Sequence, residues 1–308
     1  MNPIEFLLYP FRRPKAPEPQ TAMGFFTDTS LCIGCKACEV ACKQWNQLPG
    51  DGLRWTGFSY DNTVTLSATT WRHVAFVEQF HDGLEDASQL NPGRLVPTGY
   101  SAISDDTSIT SLLTAEPKSG RWLMMSDVCK HCAAAPCQMA CPTGAIVYNE
   151  FGNVYIQNDI CNGCGYCVAA CPFGVITRSI HDGHAHKCTL CFDRQRDGLT
   201  PACAKACPTE SIQFGPVEEL RLRAARRLEQ LHARGQTDAH LYGASEGKNY
   251  PALHAFFLLL DRASLYGLPE NVSLPQLHLS SDFIRLAIGA ILSVAAVVLA
   301  FIGKSHGF

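Results

Sequence analysis

Sixteen cysteines stand in four groups of four with none left over: Cys32, Cys35, Cys38 and Cys42, then Cys129, Cys132, Cys137 and Cys141, then Cys161, Cys164, Cys167 and Cys171, then Cys188, Cys191, Cys203 and Cys207. Three groups end in Cys-Pro, at Cys141-Pro142, Cys171-Pro172 and Cys207-Pro208. The third is a complete C-x2-C-x2-C-x3-C-P run, the spacing with which thiolates hold a [4Fe–4S] cube. Three thiolates on a short loop cap three irons of one cube, and the fourth must arrive from another direction. In two-cluster proteins the last Cys of each run therefore ligates the other cluster. The pattern predicts four [4Fe–4S] clusters. Structural zinc with four cysteines uses two well separated pairs, which only the fourth group approximates. Disulfides fit less well still, because the first residues do not read as a signal peptide and 16 cysteines in 308 residues fall below the density of a disulfide scaffold.

The formal net charge is −3, with 46% hydrophobic and 17% charged residues. That count takes every Cys as neutral. An oxidised cube of charge 2+ on four thiolates adds about −2, so four sites bring the total to about −11. Lys36 and Lys43, Lys130, Lys187 and Lys205 flank the first, second and fourth groups. They would offset the charge locally, unless they simply face water. The third group has no such lysine, so its cluster is expected to depend on hydrogen bonds instead.

Behind these loops the expected organisation is α+β, with two pseudo-symmetric, double-cluster, ferredoxin-like lobes, insertions, and one C-terminal transmembrane helix. Residues 1–22 read as a Pro-rich arm with an apolar patch from Ile4 to Tyr9 that docks on a neighbour or on its own domain. Its Arg12-Arg13 pair is not followed by an apolar stretch, which argues against an export signal. Residues 23–214 read as the four-cluster domain, interrupted by an insert at 44–122. Within it, Ala145–Tyr148 and Val154–Gln157 flank a Glu-Phe-Gly-Asn turn and predict a hairpin. Short helices are expected after the last Cys of each group or between groups. The insert reads as strands over 63–80 and as surface loop near 85–118, and such long insertions usually meet partners. In the 215–281 extension, Gly215-Pro216 opens an amphipathic helix with Leu220, Ala224, Leu228 and Leu231 on one stripe. Its arginines Arg221, Arg223, Arg226, Arg227 and Arg234 lie elsewhere on that helix, which is expected to end at Gly235 and to rest on the body of the protein. Residues 286–303, LAIGAILSVAAVVLAFIG, carry no charge and would span about 27 Å as a helix, so 282–303 is expected to be a membrane anchor. A 304–308 tail follows.

No GxGxxG fingerprint, Walker loop or C-x-x-C-H site occurs, so neither nucleotide nor covalent haem is expected. The basic helix has no interleaved aromatics, which argues against nucleic acid. His181, His184 and His186 read as a surface turn built on Asp182-Gly183 rather than a metal site. His131 is expected to lie behind the ligands or to face solvent. No nucleophile, acid or base is arranged for catalysis, so no catalytic residue is expected.

The runs MGFFTDTSLCIGCKACEVACKQWN (23–46), CPTGAIV, CNGCGYCVAACPFGV and KCTLCFDRQRDGLTPACAKACPTESIQFG, with HAFFLLLD (254–261) and YGLP (266–269), resemble the iron-sulfur (beta) subunit of respiratory, membrane-bound formate dehydrogenase. The four-cluster pattern alone is shared by electron-transfer subunits of many molybdopterin oxidoreductases, and the long insert and the Pro-rich arm depart from the formate pattern. The resemblance implies that Cys32, Cys35, Cys38 and Cys207 hold one cluster, with Cys188, Cys191, Cys203 and Cys42 holding its neighbour. In the other lobe it pairs Cys129, Cys132 and Cys137 with Cys171, and Cys161, Cys164 and Cys167 with Cys141. It implies electron transfer from a molybdopterin (molybdenum or tungsten) catalytic (alpha) subunit to a membrane cytochrome b or other quinone-reducing (gamma) subunit. It further implies contact with membrane lipid, a single-pass anchor, and an iron-sulfur domain on the periplasmic side, exported already folded with its partner. The alternatives are the same relay serving another molybdopterin oxidoreductase or a hydrogenase, and a zinc-stapled scaffold.

Overall fold

The structure, a computed structural model, describes residues 21–52, 55–57, 60–80, 120–245, 250, 252–272 and 279–305, with side chains of the last helix described over 283–297. The arm at 1–20 and the loop expected near 85–118 lie outside these residues. In chain order the elements are β1 (Met23–Asp28), α1 (Ala37–Trp45), β2 (Arg72–Phe80), β3 (Gly120–Val128), α2 (Pro136–Met139), β4 (Ile146–Tyr148), β5 (Val154–Ile156), α3 (Tyr166–Ala170), β6 (Thr177–Arg178), β7 (Ala185–His186), α4 (Phe192–Arg196), α5 (Ala202–Lys205), β8 (Ile212–Pro216), α6 (Val217–Ala233), β9 (His240–Tyr242), β10 (Ala255–Leu259), a 3-10 turn (Ala263–Tyr266) and α7 (Leu279–Ser305).

The aromatic pair Phe25-Phe26 makes β1 a strand buried on both faces. It lies inside a four-stranded sheet of order β8-β1-β10-β9, antiparallel to β8 and parallel to β10. Gly24 is needed here, because a Cβ at that position would meet the His254 carbonyl oxygen at 1.9 Å. Helix α6 covers one side of the sheet. Its Leu220, Ala224 and Leu231 are buried and Leu228 is packed against Phe26, Phe256 and Leu258. The helix begins at Val217, with Pro216 as its cap and the last residue of β8, one step later than expected.

Strands β2 and β3 form a long antiparallel ribbon in register from Arg72↔Val128 to Phe80↔Gly120. The second half of the 63–80 stretch, from Arg72, is extended as a strand. The earlier part is held in turns, because Asp61 Oδ1 accepts the Thr63 and Val64 N–H groups at 3.0 Å and the Ser67 hydroxyl accepts those of Thr69 and Thr70. The expected hairpin is present as β4–β5, and β6–β7 forms another. Buried cysteines are built into the largest apolar cluster, among Phe25, Val74, Ile146, Ile176 and Leu253.

Every described side chain from 283 to 297 in α7 is exposed, among them Leu286, Ile288, Ile291, Leu292, Val294 and Val297. Among the described residues no helix is long and apolar enough to cross a membrane. The 286–303 stretch runs beyond Val297, where description of the side chains stops.

Candidate metal centres

All four Cys-x2-Cys pairs share one local fold. The residue before the second Cys has a positive φ in each: Gly34 at 66°, His131 at 42°, Gly163 at 70° and Leu190 at 57°. That left-handed step curls the loop, freely at glycine and at a cost on the order of 1–3 kcal/mol at His131 and Leu190. At Gly163 a second constraint applies, since a Cβ would meet the Gly183 carbonyl oxygen at 2.4 Å. The third thiol of each group then sits one residue into a helix: Cys38 in α1, Cys137 in α2, Cys167 in α3 and Cys203 in α5. Four helices thus carry the third Cys and α4 lies between the second and third Cys of the last group, so among the described residues the short helices neither follow the last Cys nor lie between groups.

These elements gather the thiols into quartets. Cys32, Cys35, Cys38 and Cys207 line one cavity. Cys129, Cys132, Cys137 and Cys171 line a second, and Cys141, Cys161, Cys164 and Cys167 a third. Cys42, Cys188, Cys191 and Cys203 form a fourth quartet whose members are all buried and act on one another electrostatically. Each quartet takes three sulfurs from one run and its fourth from another. The quartets also adjoin in a row. Cys203 of the buried quartet acts on Cys38 of the first, Cys129 of the second acts on Cys188, and α2 packs on α3 between the second and third. The two exposed thiols, Cys35 and Cys164, belong to the end quartets.

Electrostatics and donors suit a polynuclear, positively charged core. Burial, reinforced by neighbouring sulfurs, pushes the Cys38, Cys167 and Cys191 thiols up to about 11 and Cys132 to about 12, with Cys42, Cys137 and Cys188 also raised. Such thiols give up their protons only to bound positive charge. Donors already point at the sulfurs: Leu190 N–H to Cys188 Sγ at 3.2 Å, Tyr250 O–H to Cys132 Sγ at 2.8 Å and Arg72 Nη2 to Cys203 Sγ at 3.2 Å. Among the described residues no three His, Cys, Asp or Glu side chains are grouped closely enough to hold a single metal ion. Three of the quartets line cavities.

The lysines divide. Lys130 and Lys187 are buried, so water is not what they face. Lys187 lines the second cavity and bonds the Val154 and Cys188 carbonyls, while Lys130 pairs with Asp127 and lies over the Phe173 and Phe257 rings. Lys36 and Lys43 pair with Glu39 and Asp51, and Lys205 is exposed. No lysine or arginine lines the third cavity. His131 is fully buried against the second cavity with neither ring nitrogen hydrogen-bonded, so the solvent-facing expectation fails. Burial, with Lys187 nearby, keeps its pKa well below that of a free imidazole. The His181–His186 segment is a surface turn in which Asp182 accepts from the His184 N–H and pairs with His186. Arg72, Ser126 and Tyr250 were not singled out from the sequence. An arginine opening the strand-forming run RHVAF was the one available signal.

Two family profiles described as 4Fe-4S dicluster domain match residues 31–145 and 120–217, which places the protein in the class of dicluster iron-sulfur proteins. It is 34% identical to the formate dehydrogenase iron-sulfur subunit of Haemophilus influenzae, over 95% of its own length and 82% of that subunit. With the formate dehydrogenase-O iron-sulfur subunit of Escherichia coli it shares 35% identity over 85% and 76% of the two sequences. An iron-sulfur relative of another kind, an anaerobic dimethyl sulfoxide reductase subunit of Escherichia coli, is 31% identical over 65% and 77%. The protein belongs to the family of formate dehydrogenase iron-sulfur subunits.

Proposed function

We propose that the sixteen cysteines ligate four [4Fe–4S] clusters in the quartets described above, and that the protein relays electrons from a molybdopterin formate dehydrogenase catalytic subunit to a membrane cytochrome b or other quinone-reducing subunit. The observation that carries this reading is the row of quartets, buried in its middle and opening through one exposed thiol at each end. Each bound cluster supplies one-electron redox chemistry. The protein's own residues hold the thiolates, exclude water from the inner quartets and direct N–H and O–H donors at sulfur. The uncharged 286–303 stretch of the sequence is read as a single-pass anchor that tethers the complex, with the iron-sulfur domain on the periplasmic side. The likeness to the dimethyl sulfoxide reductase subunit favours a second reading, the same relay serving a different catalytic subunit. The test is metal and sulfide analysis of the purified complex, followed by anaerobic addition of substrate. Roughly 16 irons and 16 labile sulfides per polypeptide are expected from four cubes, with cluster absorbance bleached by formate. Zinc without sulfide would overturn the cluster assignment, and bleaching by another substrate alone would overturn the formate assignment.

A further inference from the structure

Arg72 opens β2, the strand that the 44–122 insert contributes, and it is 2% exposed. A buried guanidinium is costly unless an anion pairs with it. Among the described residues no carboxylate lies within ion-pair distance of Arg72. What surrounds it is sulfur. Nη2 donates to Cys203 Sγ at 3.2 Å, and Nη1 donates to the Ser126 carbonyl at 3.2 Å and lies 3.4 Å from Ser126 Oγ. That hydroxyl stands 3.2 Å from Cys38 Sγ. The Phe25 ring packs against the guanidinium, 4.8 Å from its carbon.

Cys203 and Cys38 belong to adjoining quartets. We infer that Arg72 is a redox-tuning cation shared by two neighbouring clusters, touching a ligand of one directly and a ligand of the other through Ser126. This inference rests on the four-cluster reading above. Reduction makes each cluster one unit more negative, and a fixed buried cation favours that state in both. The insert therefore sets the potentials of the pair as well as covering them.

The experiment is a potentiometric titration of the full-length protein in its complex followed by paramagnetic resonance, in wild type, R72Q and R72K. Four reducible centres in wild type uphold the reading on which the inference stands, whatever the variants do. In R72Q two of the four centres should become at least tenfold harder to reduce, a fall of about 59 mV or more for a one-electron couple, with the other two unmoved. R72K keeps a charge but cannot reach Cys203 and Ser126 together, so the same two centres should fall by less. Unchanged potentials in R72Q, equal falls in R72Q and R72K, or a uniform shift of all four would each overturn the assignment. Should R72Q fail to load its clusters, R72K decides: unmoved potentials there reject the proposal, and a fall confined to two centres supports it.

Discussion

Held between two carboxylates on the β2–β3 ribbon, His73 is the clearest case of a side chain whose charge state is set by burial and company. Its ring nitrogens lie 3.4 Å from Glu39 Oε1 and 3.1 Å from Asp61 Oδ2. Lys36 stands 3.7 Å from Glu39 and 4.0 Å from Asp61. Burial opposes protonation of the ring, but Asp61 and Glu39 raise its pKa to about 9, while His73 and backbone amides outweigh burial at Asp61 and lower that group to about 2. A histidine raised in this way stabilises the fold fully below its ordinary value of 6.5 and ceases to do so as pH rises through about 9. The matching carboxylate contribution is present above 3.8 and disappears as pH falls through about 2. His73→Gln is expected to cost about 2–3 kcal/mol near neutral pH by removing the nearer of the two cations that face Glu39 and Asp61. Anaerobic denaturant midpoints of wild type and variant should therefore converge above about pH 9, and a gap that stayed constant with pH would reject the charge-based account. The cysteines are legible in the sequence because each loop is a contiguous run. Arg72 is not, because its thiol partner lies 131 residues away and only the pairing of β2 with β3 turns it inward.

At the scale of elements, periodicity is a good guide where burial is one-sided. The α6 stripe was legible from its spacing, and the structure sets Leu220 at 1% exposure while Leu222, two residues on, is 65% exposed. Leu220→Ala should cost about 2–5 kcal/mol through the cavity left against the sheet, whereas Leu222→Ala should stay within about 0.5 kcal/mol of wild type. Denaturant unfolding of the pair checks this, and equal losses would mean that α6 is not anchored by its stripe. The β-rich composition of 63–71 misled for a physical reason. Its Ser and Thr hydroxyls and the Asp61 carboxylate bond nearby backbone N–H groups, offering the backbone turns in place of a ladder. The β2–β3 ribbon could not be read because its partner strand lies beyond 81–119 and cross-strand register is a long-range property.

Seen whole, the molecule joins a body built around sulfur to a helix whose described face is entirely exposed. Removing 282–308 should move the protein from carbonate-washed membranes to the soluble fraction. Retention of the shortened protein on washed membranes would show that α7 is not what holds it there. A different consequence follows from how the quartets are threaded. Residues 129–171 contain every thiol of the second and third cavities, so that lobe can be completed as soon as a short stretch of polypeptide has left the ribosome. The first cavity needs Cys207, and the buried quartet needs Cys188, Cys191 and Cys203 to join Cys42. At roughly 5–20 residues per second, the earliest thiols wait on the order of ten to thirty seconds for their last companion. During biogenesis the sulfurs nearest the N-terminus are consequently the ones most in need of a reducing cytosol and a scaffold that delays closure.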